Sequence, residues 1–264
     1  MNATSNDTNG AYAPVNGLQM YYEVHGSPSV GADGPLPLVL LHGGILNIDL
    51  NYGRLIPILA KDRQVIALEF QGHGRTADTD RDLSIDHFAS DVVGLLDHLG
   101  IERADVFGFS LGGLTALQTG IGYPERVGRQ VLVSTHYRHD GYYDEIFDPA
   151  AFGVSTRLPT QADFEQMREA YLKIAPHPDH FEAFMAKNSA AVAAFQGWSD
   201  DALRGIAAPT LLVIGDNDFV RIEHAAAMHA LIPDSRLAVL PGTTHMTVTQ
   251  RLDLLLPALE PFLR

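Results

Sequence analysis

The stretch Val106-Phe107-Gly108-Phe109-Ser110-Leu111-Gly112-Gly113 carries a run of β-formers into a serine fenced by glycines. A helical pattern, Leu114-Thr115-Ala116-Leu117-Gln118, begins at once. A strand that hands over to a helix within so few residues needs a tight turn, and the residue at its apex takes a strained backbone conformation. Side chains at Gly108, Gly112 or Gly113 would collide in that turn, which glycine avoids. The strain lifts the Ser110 hydroxyl out of the surface. The start of the helix leaves unpaired N–H groups beside it, that of Leu111 among them, able to meet a developing negative charge. One stretch thus offers a nucleophile and half of an oxyanion hole. A G-x-S-x-G pentapeptide also occurs as a plain glycine-rich turn, so the surrounding elements have to decide.

Those elements alternate. Strand patterns cover 18–24, 36–41, 64–70, 103–107, 130–134, 210–214 and 236–240, several of them continuous apolar runs of the kind buried on both faces. Helical patterns cover 51–60, with Pro57 in its path, then 85–99, 114 onwards, 222–231 and 249–263. In the second of these Ser84 is placed as N-cap, and Ile85, Phe88, Val92, Leu95, Leu96 and Leu99 share one face before Gly100 ends it. Strands alternating with helices predict an α/β chain with a mostly parallel sheet and helices on both faces. Catalytic groups in such folds gather at the carboxyl ends of the strands.

The alternation breaks over 135–205, where Tyr137, Tyr142, Tyr143, Phe147 and Phe152 fall in a loop-like segment followed by helical patterns at 161–174 and 178–195. Lying between two sheet strands, this insertion is expected to be a helical cap over the strand ends. Its aromatics either pack that cap or touch a substrate. The expected organisation is a flexible tail (1–16), the first part of the core (17–134), the cap (135–205) and the second part of the core (206–264).

Composition narrows the chemistry. With 264 residues, 46% hydrophobic and 19% charged, the chain can bury a substantial core. Its formal charge of −14 argues against nucleic acid and against anionic membrane surfaces as partners. No cysteine is present, so thiolate catalysis and disulfides are excluded and serine is left as the natural nucleophile. The start of the chain is polar, without a secretory pattern, and no stretch reaches the roughly 20 apolar residues of a membrane span, so a cytoplasmic location is expected. Asn2 and Asn6 sit in glycosylation patterns that mean little without a secretory signal. The twelve histidines show no metal spacing, and the glycines do not form the G-x-G-x-x-G phosphate fingerprint, so neither a metal nor a cofactor is expected.

A serine hydroxyl needs a base, usually histidine, which needs a carboxylate to hold its tautomer. Beyond Ser110, Asp218 follows one strand pattern within Gly215-Asp216-Asn217-Asp218, and His245 follows the next. With His42-Gly43-Gly44-Ile45 after an earlier strand, these four pieces appear in order at strand ends. On them the chain resembles the α/β-hydrolase superfamily, serine esterase or lactonase-like with a helical cap, over 18–263 and least within the insertion. The resemblance implies an eight-stranded, mostly parallel sheet. It makes Ser110 the nucleophile, His245 the base and Asp218 the acid, with Asp216 as rival. It makes the Leu111 and Gly44 amides the oxyanion donors, with Ile45 as a substitute for Gly44. One departure is Glu69, in Glu69-Phe70-Gln71-Gly72-His73-Gly74, where relatives commonly carry aspartate; a structural role in that loop is expected.

The implied activity is cleavage of a small ester or lactone through an acyl-enzyme. Amide, thioester or carbon–carbon bond cleavage, perhydrolase or haloperoxidase-like chemistry, and a small-molecule receptor on the same scaffold are the alternatives. His42 is expected to brace its loop. His224 and His229 are expected to be solvated on a surface helix.

Overall fold

The computed structural model describes residues 10–28 and 34–264. Residues 1–9, with both glycosylation patterns, and residues 29–33 lie outside the described residues.

Eight strands form one sheet: β1 (Gly10–Val15), β2 (Leu18–His25), β3 (Leu38–Leu41), β4 (Val65–Leu68), β5 (Ala104–Phe109), β6 (Val127–Val133), β7 (Thr210–Asn217) and β8 (Ser235–Thr244). Their order is β1-β2-β4-β3-β5-β6-β7-β8. The first two pairings are antiparallel and all others parallel. β1 corrects the reading of 1–16 as a tail, because 10–15 pair residue by residue with β2, from Gly10 opposite Glu23 to Val15 opposite Leu18. Asn16 and Gly17, at φ 48° and 86°, supply the two positive-φ residues of a tight hairpin turn. Ala13 and Val15 point into the core.

Nine helices accompany the sheet among the described residues: α1 (Ile48–Tyr52), α2 (Ile56–Leu59), α3 (Ile85–His98), α4 (Leu111–Gly122), α5 (Gln161–Ile174), α6 (Phe181–Ala194), α7 (Asp200–Arg204), α8 (Ile222–Leu231) and α9 (Leu252–Leu263). The pleat divides the core into two layers. Val39 and Leu41 face one side with Phe88, Val92 and Leu95 of α3, Ala116 and Leu117 of α4 and Met228 of α8. Leu38 and Leu40 face the other with Ile48 and Tyr52 of α1, Leu59 of α2 and Leu255 and Leu259 of α9.

The single helix expected over 51–60 is two short ones. Asn47 caps the first by accepting from the Leu50 amide, and the chain reorients over Gly53-Arg54-Leu55 before the second. Pro57 stands in the first turn of α2, where a missing N–H leaves no helical bond unmade. α3 starts as read, with the Ser84 hydroxyl accepting from the His87 amide.

Within 135–205 short 3₁₀ turns lead to α5, capped by a reciprocal Thr160–Asp163 pair, then α6 and α7. The fully buried Phe184 of α6 stacks on Tyr171 of α5 at 5.4 Å and meets His73 edge-on at 4.8 Å. Lys187 and His180 reach Asp78 at 2.9 and 3.1 Å. An aromatic peg and an ionic latch thus fix this segment to the loops beyond β4.

Candidate active site

The turn between β5 and α4 has the strain expected of it. Ser110 stands at φ 53°, ψ −114°. A Cβ on Gly108 would lie 2.0 Å from the Gly112 carbonyl oxygen, and one on Gly112 would lie 1.9 Å from that of Leu41, so neither position admits a side chain. The Ser110 amide donates to Val133 O of the neighbouring strand at 2.9 Å, which anchors the apex to the sheet.

The ends of β7 and β8 bring the other two groups to it. His245 Nε2 lies 3.0 Å from Ser110 Oγ, and His245 Nδ1 lies 2.9 Å from Asp218 Oδ1. Asp218 and His245 are both buried, and Phe219 stacks on the imidazole at 3.8 Å. Asp216 is exposed and accepts from the Thr243 amide at 3.1 Å, which pins the end of β8, whereas the bond to His245 comes from Asp218. Backbone donors from Gly242 and Thr243 hold its carboxyl below the usual range.

Sequence reasoning missed Ser134. Its hydroxyl donates to Asp218 Oδ2 at 2.6 Å while the Val220 amide donates to Oδ1 at 3.0 Å, so the carboxylate is held in one orientation toward His245. Ser134 has φ 50°, unusual for a non-glycine residue. The only sequence signal for it was a serine closing the strand next to the turn.

Gly44 and Leu111 line the same cavity as Ser110, and a Cβ on Gly44 would lie 3.9 Å from Leu111 Cβ, so the two residues flank one space. Ile45 has φ 65° and also lines it. His42 braces its loop: Nδ1 donates to Gly43 O at 2.7 Å and Nε2 accepts from the Phe70 amide at 3.1 Å. Buried Glu69 accepts from Arg75 Nη1 at 2.8 Å and from the Ile48 amide at 3.3 Å, which ties its loop to α1 as the structural reading required.

The cavity holds about 180 Å³. Among the described residues its walls are apolar apart from Ser84, Ser110, His136, Tyr142, Asn188 and His245, and no described Lys, Arg, Asp or Glu lines it. Of the insertion's early aromatics Tyr142 lines it, Tyr137 is buried, and Phe147 and Phe152 are exposed. His224 corrects the expectation of a solvated side chain: it is buried and accepts from the Tyr137 amide at 3.1 Å, because α8 packs this face under the start of the inserted segment. His229 pairs with Ser235 Oγ at 2.8 Å. Among the described residues no three His, Asp or Glu side chains are grouped as a metal site, and no helix is long and apolar enough to cross a membrane.

Burial drives four histidines down from 6.5: His42 well below it, His73 and His224 to about 4, and His136 to about 3. Between pH 6.5 and these values the unfolded chain binds protons that the folded chain does not, so stability falls as pH falls, by up to about 1.4 kcal/mol per pH unit for each group. Burial raises Glu69 to about 7, which works in the opposite direction, but it is one group against four. The urea midpoint is therefore expected to be clearly lower at pH 5 than at pH 7.5; an equal or higher midpoint at pH 5 would contradict this.

Comparison with known proteins agrees with the architecture. The family model described as alpha/beta hydrolase fold matches residues 37–173. The 2-hydroxymuconate semialdehyde hydrolase of Pseudomonas sp. (strain CF600) is 42% identical over 106 residues, covering 38% of this chain and 36% of that protein. The chain spans between 28% and 43% of the length of the first three curated relatives it matches. Among solved structures, a mutant meta-cleavage product hydrolase from Pseudomonas fluorescens IP01 (CumD), complexed with acetates, superposes with a TM-score of 0.79 at 23% identity, covering 97% of this chain and 98% of that one. Est816, described as an N-acyl homoserine lactone degrading enzyme, superposes with a TM-score of 0.70 at 26% identity, covering 96% and 99%. With a sheet of this order and a family match across more than half its length, the chain belongs to the alpha/beta hydrolase fold family.

Proposed function

We propose that this protein is a serine hydrolase of small, uncharged carboxylic esters or lactones, acting through Ser110, His245 and Asp218. The observation that carries this reading is the relay of two hydrogen bonds, Asp218 Oδ1 to His245 Nδ1 at 2.9 Å and His245 Nε2 to Ser110 Oγ at 3.0 Å, opening on an apolar cavity.

Ser110 Oγ attacks the carbonyl carbon while His245 Nε2 takes its proton, and Asp218 stabilises the imidazolium that forms. The carbonyl oxygen becomes an oxyanion between the amides of Leu111 and Gly44, each such donor contributing about 2.7–4 kcal/mol. Collapse breaks the bond to the alcohol, which leaves with the proton from His245. Water, deprotonated by His245, then attacks the acyl-serine and releases the acid. The cycle closes with water as its only co-reactant. The inserted segment acts as the cap, contributing Pro159, Phe164, Met167, Asn188, Val192 and Phe195 to the wall.

The absence of any Lys or Arg among the described lining residues supports neutral substrates. A carboxylate, such as the name hydroxymuconate implies for a substrate of the Pseudomonas relative, would be desolvated here without a counter-ion, beside a chain of formal charge −14. This favours ester or lactone cleavage over carbon–carbon cleavage of such anions. Steady-state hydrolysis of methyl butanoate against monomethyl succinate tests it. The neutral ester should be preferred by ~10² or more in kcat/KM, in proportion to the cost of burying an unpaired charge. Equal rates, or turnover of 2-hydroxymuconate semialdehyde faster than of any ester, would contradict the reading.

A further inference from the structure

We infer that Tyr142, backed by His136, is a specificity-determining residue that hydrogen-bonds a polar, uncharged group in the leaving-alcohol part of the substrate. This rests on the hydrolase reading above and deepens it.

The polar side chains of the cavity fall into two sets. Ser84 Oγ is occupied by the His87 amide, and Ser110 and His245 are occupied by each other and by Asp218. The side chains of His136, Tyr142 and Asn188 are not: none of the three makes a side-chain hydrogen bond with another described residue, although the Tyr142 backbone does. His136 is only 3% exposed, and its Nε2 is buried without a partner. Leaving such a group unpaired carries its full desolvation cost, so an unpaired polar group beside an apolar cavity marks where a ligand completes the hydrogen bonding.

Both groups are neutral over the physiological range. Burial, with His224, His139 and His245 nearby, keeps His136 unprotonated, and burial with the Asp218 charge keeps the Tyr142 hydroxyl protonated. Their rings pack at 4.1 Å. The Tyr142 backbone is fixed by an antiparallel bridge to Val220 and by Arg221 Nε donating to its carbonyl at 2.7 Å, so the ring is tied to the segment that carries Asp218.

Position decides which part of the substrate is read. Tyr142 packs on Phe219 at 5.8 Å, and Phe219 stacks on His245. The leaving oxygen must lie on this side, because His245 Nε2 gives it the proton. Asn188 belongs to the other wall, since a Cβ on Gly44 would lie 3.9 Å from its Nδ2. Ile85, Phe88, Leu114, Phe164 and Val192 leave the rest of the lining aliphatic or aromatic, which suits an apolar acyl group.

The test is a pair of esters of one size, 2-hydroxyethyl butanoate and propyl butanoate, with wild type and Tyr142→Phe. A general packing defect cancels in the ratio of the two kcat/KM values, and the difference in intrinsic reactivity of the two esters cancels when that ratio is compared between wild type and variant. Wild type should favour the hydroxyethyl ester, and the ratio should fall ~10-fold in Tyr142→Phe, as expected when a site loses its partner for a substrate hydroxyl. An unchanged ratio in a variant that still turns over both esters would overturn this inference alone. Failure of wild type to turn over either ester would overturn the hydrolase reading, and this inference with it.

Discussion

Replacing Ser110 by alanine is expected to lower kcat for ester hydrolysis by about 10⁶, and His245→Ala by about as much, with the double variant no worse than either. The two residues act through one hydrogen bond of 3.0 Å, so removing either end removes the whole function of the pair. What remains is the binding and oxyanion contribution of the cavity. Among the described residues the Ser110 hydroxyl hydrogen-bonds only to His245, and the apex is held by its amide on Val133 O, so the variant should unfold at the same denaturant concentration as wild type. Turnover and urea unfolding of the same purified samples check both parts. Activity within tenfold of wild type in Ser110→Ala would show that the nucleophile lies elsewhere, and in His245→Ala that the base does.

The second large effect concerns the acid. Asp218→Asn should cost about 10⁴ in kcat. The carboxylate accepts from three donors, His245 Nδ1, the Ser134 hydroxyl and the Val220 amide. An amide in its place turns an NH₂ toward one of them, and the imidazole loses either its orientation or its productive tautomer. Asp216→Asn should change kcat less than about threefold, because that side chain is exposed and bonded to Thr243. A larger loss from the change at Asp216 than at Asp218 would reverse the assignment.

The sequence made the parallel core legible because its strands are continuous apolar runs and the glycines around Ser110 cannot be anything else. Gly108 and Gly112 approach backbone oxygens at 2.0 and 1.9 Å for an added Cβ, so the pattern around Ser110 reflects a steric demand. The order Ser110, Asp218, His245 was readable for the same reason, each residue ending a strand. What escaped the reading depends on tertiary contact. β1, Gly-Ala-Tyr-Ala-Pro-Val, is a short edge strand that follows the polar start of the chain without a break and reads as part of that tail until it pairs with β2. His224 reads as a surface residue until the segment before α5 covers it. Ser134 and Tyr142 carry no local motif at all; their partners lie 84 residues away at Asp218 and 78 away at Val220.

The most direct test of the central claim, that Ser110 is activated by His245, is the intact mass of the protein after treatment with a fluorophosphonate, followed by peptide mapping. The account predicts a single adduct on Ser110 in wild type and none in His245→Ala on the same timescale. An adduct on another residue, or labelling of Ser110 at the same rate without His245, would contradict it.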